Sequence, residues 1–460
     1  MLHRWLCATL ALLMLLAVCS CGQTAIPDPG TEVPAPTGSR SADATGKQTA
    51  GESEKQIELT GPSASVNLLS GYSRAATETG EVNDAFRSAV MSFSFDLLRN
   101  TLEEEKEGNK LISPTSALLC LALVANGAAG TTRSQMETAF GMDVDVLNRS
   151  LYAWTSRLPD SERARLELAN SVWFRNNDAN LSVKETFLQT VADWYDAQAY
   201  AAPFDDGTVR DVNDWCSQHT DGMIPEILQE IDPATMLILI NALVFDAKWE
   251  TLYEDFQVAP GDFTNADGST GEVNLLSSTE SIFLSGDGIK GVVKPYDGGA
   301  YSFVGLLPTD ENADIRAFAE SLDAGTWATL WQNRRYRQIV RTMIPEFTVE
   351  DGNRLAPVLE KMGMTDLFSP ERADLTPMAT YGRWNLFVSS VYQKTRLELT
   401  RYGTKAAAVT WALVDGVTAI EDPKEEHEVY LTRPFVYMIV DNATGLPLFI
   451  GVTESLSEGN

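Results

Sequence analysis

Residues 398–418 read Glu398-Leu-Thr-Arg-Tyr-Gly-Thr-Lys-Ala-Ala-Ala-Val-Thr-Trp-Ala-Leu-Val-Asp-Gly-Val-Thr418. Every second residue from Thr404 is small or β-branched: Thr404, Ala406, Ala408, Thr410, Ala412, Val414 and Gly416. The bulky or charged residues Lys405, Val409, Trp411 and Leu413 occupy the other phase. A strand sends alternate residues to opposite faces, so the stretch fits the middle of a sheet with its small face against packed neighbours. An acidic polar run, Glu421 to Glu428, follows and reads as exposed loop. Loop-like surroundings with buried-strand patterning point to two states, exposed and inserted. The same residues also fit an Ala-rich helical turn in a core, and pattern alone does not choose.

The chain has 460 residues, room for one large domain or two to three ordinary ones. With 44% hydrophobic residues it can bury a substantial core. A net charge of -29 argues against a nucleic-acid partner and against docking on anionic lipid. No metal-ligand spacing occurs, and no cofactor is expected. Only three histidines exist, His3, His219 and His427, none with an evident Ser or Cys partner in sequence. An enzyme of the hydrolase kind is therefore not expected.

Arg4 precedes the apolar run Leu10 to Val18, which ends in Val18-Cys-Ser-Cys21. These are the parts of a secretory signal, and the run is too short to span a membrane. Its ending resembles a bacterial lipoprotein signal, with cleavage before Cys21 and lipid on the Cys21 thiol. Residues 1–20 are then signal peptide. Residues 21–80, rich in Pro, Gly, Ser and Thr, read as a tether holding residues 81–460 off a membrane surface, outside the cell or in the periplasm. Cys120 and Cys216 remain in the body; buried free thiols are expected, with one disulfide as the alternative.

Helical spacing begins near Asn83 with Phe86, Val90, Phe93 and Leu97. Ser113-Pro-Thr-Ser116 is a helix start. Helices are expected over Thr131–Phe140, Asp211–His219 and Leu355–Met364. Strands are expected over Leu166–Phe174, Met236–Phe245, Asn385–Thr400, twice within Val292–Pro308, and as a hairpin around Asn442-Ala-Thr-Gly445. Mixing without βαβ alternation implies one large α+β domain.

These landmarks resemble, in order, the serpin family of serine protease inhibitors over about residues 83–457. They are Ser-Pro-Thr-Ser (113–116), Leu-Ala-Asn-Ser-Val-Trp-Phe (168–174), Asn-Ala-Leu-Val-Phe-Asp-Ala-Lys-Trp (241–249), Pro-Tyr-Asp-Gly (295–298), Met-Gly-Met-Thr-Asp-Leu-Phe-Ser (362–369), Gly-Thr-Lys-Ala-Ala-Ala (403–408) and Arg-Pro-Phe-Val-Tyr (433–437). The resemblance implies a serpin fold: three β-sheets, eight or nine helices and an exposed reactive loop. It also implies a monomer whose partner is a target protease of the serine or the cysteine class. That protease attacks the loop, forms an acyl-enzyme, and is trapped when the loop inserts into the central sheet. On this reading Gly403, Thr404, Ala406, Ala407 and Ala408 form the hinge. The reactive bond is Val417–Thr418, with Ile420–Glu421 as the alternative, because the segment to Pro434 is longer than usual. Val417 suits the small apolar pocket of an elastase- or subtilisin-like enzyme, and the acidic run could steer a basic protease. Ser113, Ser116, Asn241 and Gln393 resemble the polar cluster where the central strands part, with Gln393 where the family usually has His. Trp249 resembles the Trp where the loop first enters. Glu346 and Arg401 hold, with signs exchanged, the places of the family's hinge ion pair, and are expected to pair. The rival reading is a non-inhibitory serpin acting as a surface binding protein; Lys405, Trp411 and Leu413 favour it, and the small alternate face opposes it.

Overall fold

Asn83 starts the first long helix in the computed structural model by accepting the backbone N–H of Phe86 on its side chain. The structure describes residues 55–59, 64–161, 163–176, 180–404 and 425–457. The chain runs β1 (Gln56–Glu58), β2 (Val66–Asn67), α1 (Asp84–Glu104), β3 (Lys110–Ile112), α2 (Pro114–Ala125), α3 (Gly130–Phe140), α4 (Val144–Thr155), β4 (Ala164–Arg175), β5 (Leu181–Lys184) and α5 (Glu185–Trp194). It continues through β6 (Gln198–Ala202), α6 (Asp206–Gln218), β7 (Leu237–Lys248), β8 (Val258–Thr264), β9 (Thr270–Glu280), β10 (Ile282–Gly286), β11 (Ile289–Pro295) and β12 (Tyr301–Pro308). Then come α7 (Ile315–Ser321), α8 (Ala324–Gln332), β13 (Ile339–Pro345), β14 (Phe347–Arg354), α9 (Ala356–Lys361), β15 (Ala379–Tyr381), β16 (Ser390–Thr400), β17 (Gly403–Thr404), β18 (Glu426–Tyr430), β19 (Phe435–Asp441) and β20 (Pro447–Thr453).

Three large sheets organise these strands: seven in the order β14-β16-β17-β7-β4-β6-β2, six as β10-β11-β12-β19-β20-β3, and four as β18-β13-β9-β8. A fourth, small sheet, β1-β5-β15, was not expected. The seven-stranded sheet is buried on both faces. The odd residues Leu239, Leu243 and Phe245 of β7 join the main core, while Ile238, Ile240, Ala242 and Val244 pack with Val212 and Trp215 of α6. That double burial is why β7 is apolar from Leu237 to Phe245 except at Asn241. Every residue of α2 is buried; Pro114 fills its first turn, where no N–H is missed, and Ser113 caps it.

Two expectations need correction. The 21–80 segment is not all tether: β1 pairs with β5, β2 pairs with β6, and Leu59 and Leu68 are buried. A few apolar residues in a polar stretch, Leu59 and Leu68 with Ile57, Leu69 and Tyr72 packed beside them, suffice because the body supplies ready-made strand edges, which composition cannot reveal. The ladder of β16 begins at Ser390 rather than Asn385; residues 385–389 are held instead by single bonds, such as Val388 N–H to the Leu367 carbonyl. Cys120 and Cys216 are free and buried. No described helix is long and apolar enough to cross a membrane.

Candidate functional site

The site is a seam in the central sheet. On one side β7 is zipped antiparallel to β4 without interruption, Ala164–Phe174 against Ala247–Leu237. On the other it pairs parallel with β16 only over Ile238–Ala242 and Ser390–Lys394. Above that, among the described residues, no ladder joins Thr395–Leu397 to Leu243–Phe245. At the top the two-residue strand β17 fills the gap: Gly403 and Thr404 pair antiparallel with Thr400 and Leu399 of β16 and with Lys248 and Ala247 of β7. The first hinge residues are thus already seated as a strand between strands. Only glycine fits at 403, because φ is +142° and a Cβ there would lie 2.0 Å from the Ala247 carbonyl oxygen.

Thr404 is buried, and its hydroxyl lies 2.7 Å from that of Tyr296. The Tyr296 ring stacks on Trp249, centroids 4.5 Å apart, and the Trp249 indole N–H donates to the Thr400 carbonyl at 2.9 Å. Trp249 therefore braces the top of the gap from below. Beneath it lies a buried ion pair, Lys294 Nζ to Glu280 Oε1 at 2.7 Å, with the ammonium also over the rings of Tyr253 and Trp249. Burial raises the hydroxyl pKa of both Tyr253 and Tyr296 well above the ordinary phenol value. Tyr296 and the Lys294–Glu280 pair were missed in sequence. The available signal was a lysine on β11 directly after the apolar Val292 and Val293; its partner, fourteen residues earlier on another sheet, left none.

Lower down, the strands meet in a buried polar cluster. Gln393 Nε2 donates to Asn241 Oδ1 at 3.1 Å and to the Ser113 carbonyl at 3.0 Å, while Gln393 Oε1 accepts the Ser113 N–H at 3.1 Å. Asn241 Nδ2 donates to the Ser116 carbonyl and, at 2.6 Å, to Asn170 Oδ1. Asn170, quoted in the β4 motif but given no role, thus extends the cluster across the sheet. Ser113 Oγ donates to the Leu448 carbonyl. Ser116 Oγ is buried with no partner among the described residues.

At the upper rim Glu346 Oε1 accepts the backbone N–H of Arg401 at 2.8 Å and lies 3.8 Å from its Nε. The Arg401 guanidinium turns toward Asp255, Nη1 to Oδ1 at 3.2 Å. Ala406, Ala407, Ala408, Val417, Thr418 and Cys21 lie outside the described residues. Where the chain is again described, Glu425 pairs with Arg335 at 2.8 Å and Glu426 with Arg341 at 3.2 Å, so two acidic residues of the run are matched by the protein's own arginines. His427 stacks on Phe283, and burial lowers its pKa below the ordinary imidazole value; Glu425 opposes this and Arg335 adds to it.

Catalytic groups do not converge here. Among the described residues no set of three or more His, Cys, Asp or Glu side chains is placed to hold a metal ion. Burial pushes the Cys120 and Cys216 thiols up to about 12, so neither is a ready nucleophile. What the geometry shows is an interrupted ladder whose top is occupied by two residues of β17.

A family model described as Serpin (serine protease inhibitor) matches residues 88–455. Leukocyte elastase inhibitor A of Mus musculus is 30% identical over 383 residues, covering 79% of this chain and 97% of that protein. Serpin-ZXA of Oryza sativa subsp. japonica is 32% identical over 367 residues, covering 75% and 89%. The native-state crystal structure of the thermophilic serpin tengpin matches at 37% identity with a TM-score of 0.80, covering 85% of this chain and all of that one. Its latent-state structure, at the same identity and covering 82% and 100%, gives 0.72. With its sheets, helices and motifs all in family order, the chain belongs to the serpin family.

Proposed function

We propose that this serpin is a suicide-type protease inhibitor that traps its target as an acyl-enzyme by inserting its reactive loop into the seam. The protease's serine, or cysteine, would attack the carbonyl carbon of Val417, forming an ester or thioester as the Val417–Thr418 amide bond breaks and Thr418 leaves as an amine protonated on nitrogen. The freed segment would then zip downward from Thr404. Val417 supports an elastase- or subtilisin-like target. Lipid on Cys21 would hold the inhibitor at a membrane facing the outside or the periplasm. The protein acts as a substrate that does not let go, not as a catalyst.

The observation that carries this reading is the register of β17. Continued downward, that register would set Ala406 opposite Leu397 and Phe245, Ala408 opposite Thr395 and Leu243, and Thr410 opposite Gln393 and Asn241. All of these neighbours are buried, and Leu397, Phe245 and Leu243 belong to the main core. On insertion the small phase of the loop would fall on the crowded face, where extra volume is not tolerated. The large phase falls on the other face. Lys405 would lie between Glu398 and Asp246, and Trp411 between Tyr392 and Ile240 under α6. Two of the three residues that favour a non-inhibitory role, Lys405 and Trp411, would therefore have complementary neighbours on insertion.

About 14 residues at ~3.3 Å each reach on the order of 45 Å, comparable with the domain. At roughly 1 kcal/mol net per backbone hydrogen bond, a full strand would release ~10 kcal/mol or more. Insertion must first break the β16–β7 ladder and the Gln393–Asn241 bond. The test is incubation with elastase- and subtilisin-like proteases. An SDS-stable covalent complex is expected; cleavage of the loop without any complex by every enzyme that cuts it contradicts the proposal.

A further inference from the structure

Lysine is almost never fully buried unless it is paired, yet Lys294 is 2% exposed. Its ammonium is held by three side chains. Glu280 Oε1 lies 2.7 Å from Nζ, and the ring centroids of Tyr253 and Trp249 lie 4.5 and 5.3 Å from it. Glu280 Oε1 also accepts the Ser278 hydroxyl at 2.6 Å, and Ser278 Oγ lies 2.9 Å from Thr342 Oγ1. The pair therefore ties β11 of the six-stranded sheet to β9 of the four-stranded sheet. Trp249, directly after β7 of the seven-stranded sheet, closes over it.

A buried ion pair by itself adds little stability, because desolvating both charges offsets their attraction. Apolar side chains of similar size would fill this place as well. What the charge adds is orientation, since an ammonium is attracted to a ring's face and so restrains its tilt. Here the restrained ring leads to the hinge. The Trp249 ring lies 4.5 Å from that of Tyr296 with only 9° between the planes. The Tyr296 hydroxyl lies 2.7 Å from that of Thr404, and the Trp249 indole N–H donates to the Thr400 carbonyl.

We propose that Lys294, with Glu280, is a positioning residue for loop insertion: its ammonium holds Trp249, and through it Tyr296, so that Thr404 stays seated between β16 and β7. The geometry stands alone; the consequence for insertion rests on the trapping reading above. Seated hinge residues give insertion a strand to extend rather than one to nucleate. Insertion competes with water, which hydrolyses the ester to the loop carboxylate and frees the enzyme's hydroxyl or thiol. An unseated hinge starts later, so more acyl-enzymes hydrolyse. Attack on the loop comes earlier and is unaffected.

The test compares the full wild-type chain with Lys294→Met/Glu280→Gln, which removes both charges and leaves neither buried alone. The amides of residues 399–404 should exchange hydrogen about tenfold faster, while the β4–β7 ladder keeps wild-type protection. Trapping is measured with whichever of pancreatic elastase, neutrophil elastase and subtilisin the wild type traps fastest. The number of inhibitor molecules consumed per trapped enzyme should rise several-fold at an unchanged association rate. Tyr296→Phe, which removes only the hydroxyl facing Thr404, should reproduce both effects even if the double variant folds poorly. Unchanged exchange at 399–404 in Tyr296→Phe or in a folded double variant overturns the proposal. So does an equal loss of protection along the β4–β7 ladder, the mark of a merely structural pair. Faster exchange with an unchanged consumption ratio, beside normal trapping by the wild type, overturns the role in insertion. If the wild type traps none of the three enzymes, the trapping reading fails and takes that role with it; the exchange result still decides whether Lys294 seats the hinge.

Discussion

The two flanks of β7 differ in how they are held. Toward β4 the ladder has eleven consecutive pairs; toward β16 it has five, then a gap, then the two seated hinge residues. β16 shows the same asymmetry, with eight unbroken pairs to β14 on its far side. The unpaired stretch between those two ladders marks the line along which we propose that the sheet opens. The chemistry of the two ends of that line differs as well. The top is closed by stacked rings and a glycine-only contact, the bottom by amides that donate and accept within the sheet.

The sharpest way to break this comparison is to block the seam at its top. Thr404→Arg would drive a guanidinium into a site now 1% exposed, at a cost of several kcal/mol if unpaired. Ala406→Pro would remove a ladder donor. Both variants should become cleaved substrates; a covalent complex at full yield on gels would refute insertion from this end. Next in size, Trp249→Ala should destabilise the native protein by roughly 3–5 kcal/mol, because it removes the brace under Thr400 and the ring on which Tyr296 stacks. Denaturant unfolding measures it, and a loss no larger than for an exposed residue would deny the top of the seam its aromatic lock.

At the bottom, Gln393→Leu should cost about 1–3 kcal/mol, since Asn241 and Ser113 lose buried partners. Gln393→His should instead make opening pH-dependent, an effect absent from the present amide. Away from the seam, His427 supplies its own pH dependence. The folded state resists protonating it, so its contribution is present above the ordinary imidazole value and is lost as pH falls through the lower folded one. The protection factors of β18 amides, corrected for the intrinsic slowing of exchange with acidity, should therefore decrease as pH falls below the ordinary imidazole value of about 6.5, and His427→Phe should flatten that response. The smallest effect expected is that of Arg401→Ala, ~0.5 kcal/mol, because its side chain divides itself between Asp255 and a 3.8 Å approach to Glu346.

Much of this was legible in the residues. The lone Asn241 in an apolar strand and the Ser113-Pro114 helix start are local patterns, and these local patterns survive into structure, whereas the alternation from Thr404 lies, beyond its first residue, outside the described residues. What lay hidden was held by distant partners. Lys294 finds Glu280 on another sheet, Asn170 meets Asn241 across a ladder, and Leu59 and Leu68 are buried only because the body offers them an edge.

The most direct measurement is the melting temperature of the intact protein against that of a form cleaved once within residues 405–424. If the seam takes up the freed strand, the cleaved form should melt higher by on the order of 10 °C or more. Equal melting temperatures, with the loop fully cut and no enzyme trapped, would contradict the account.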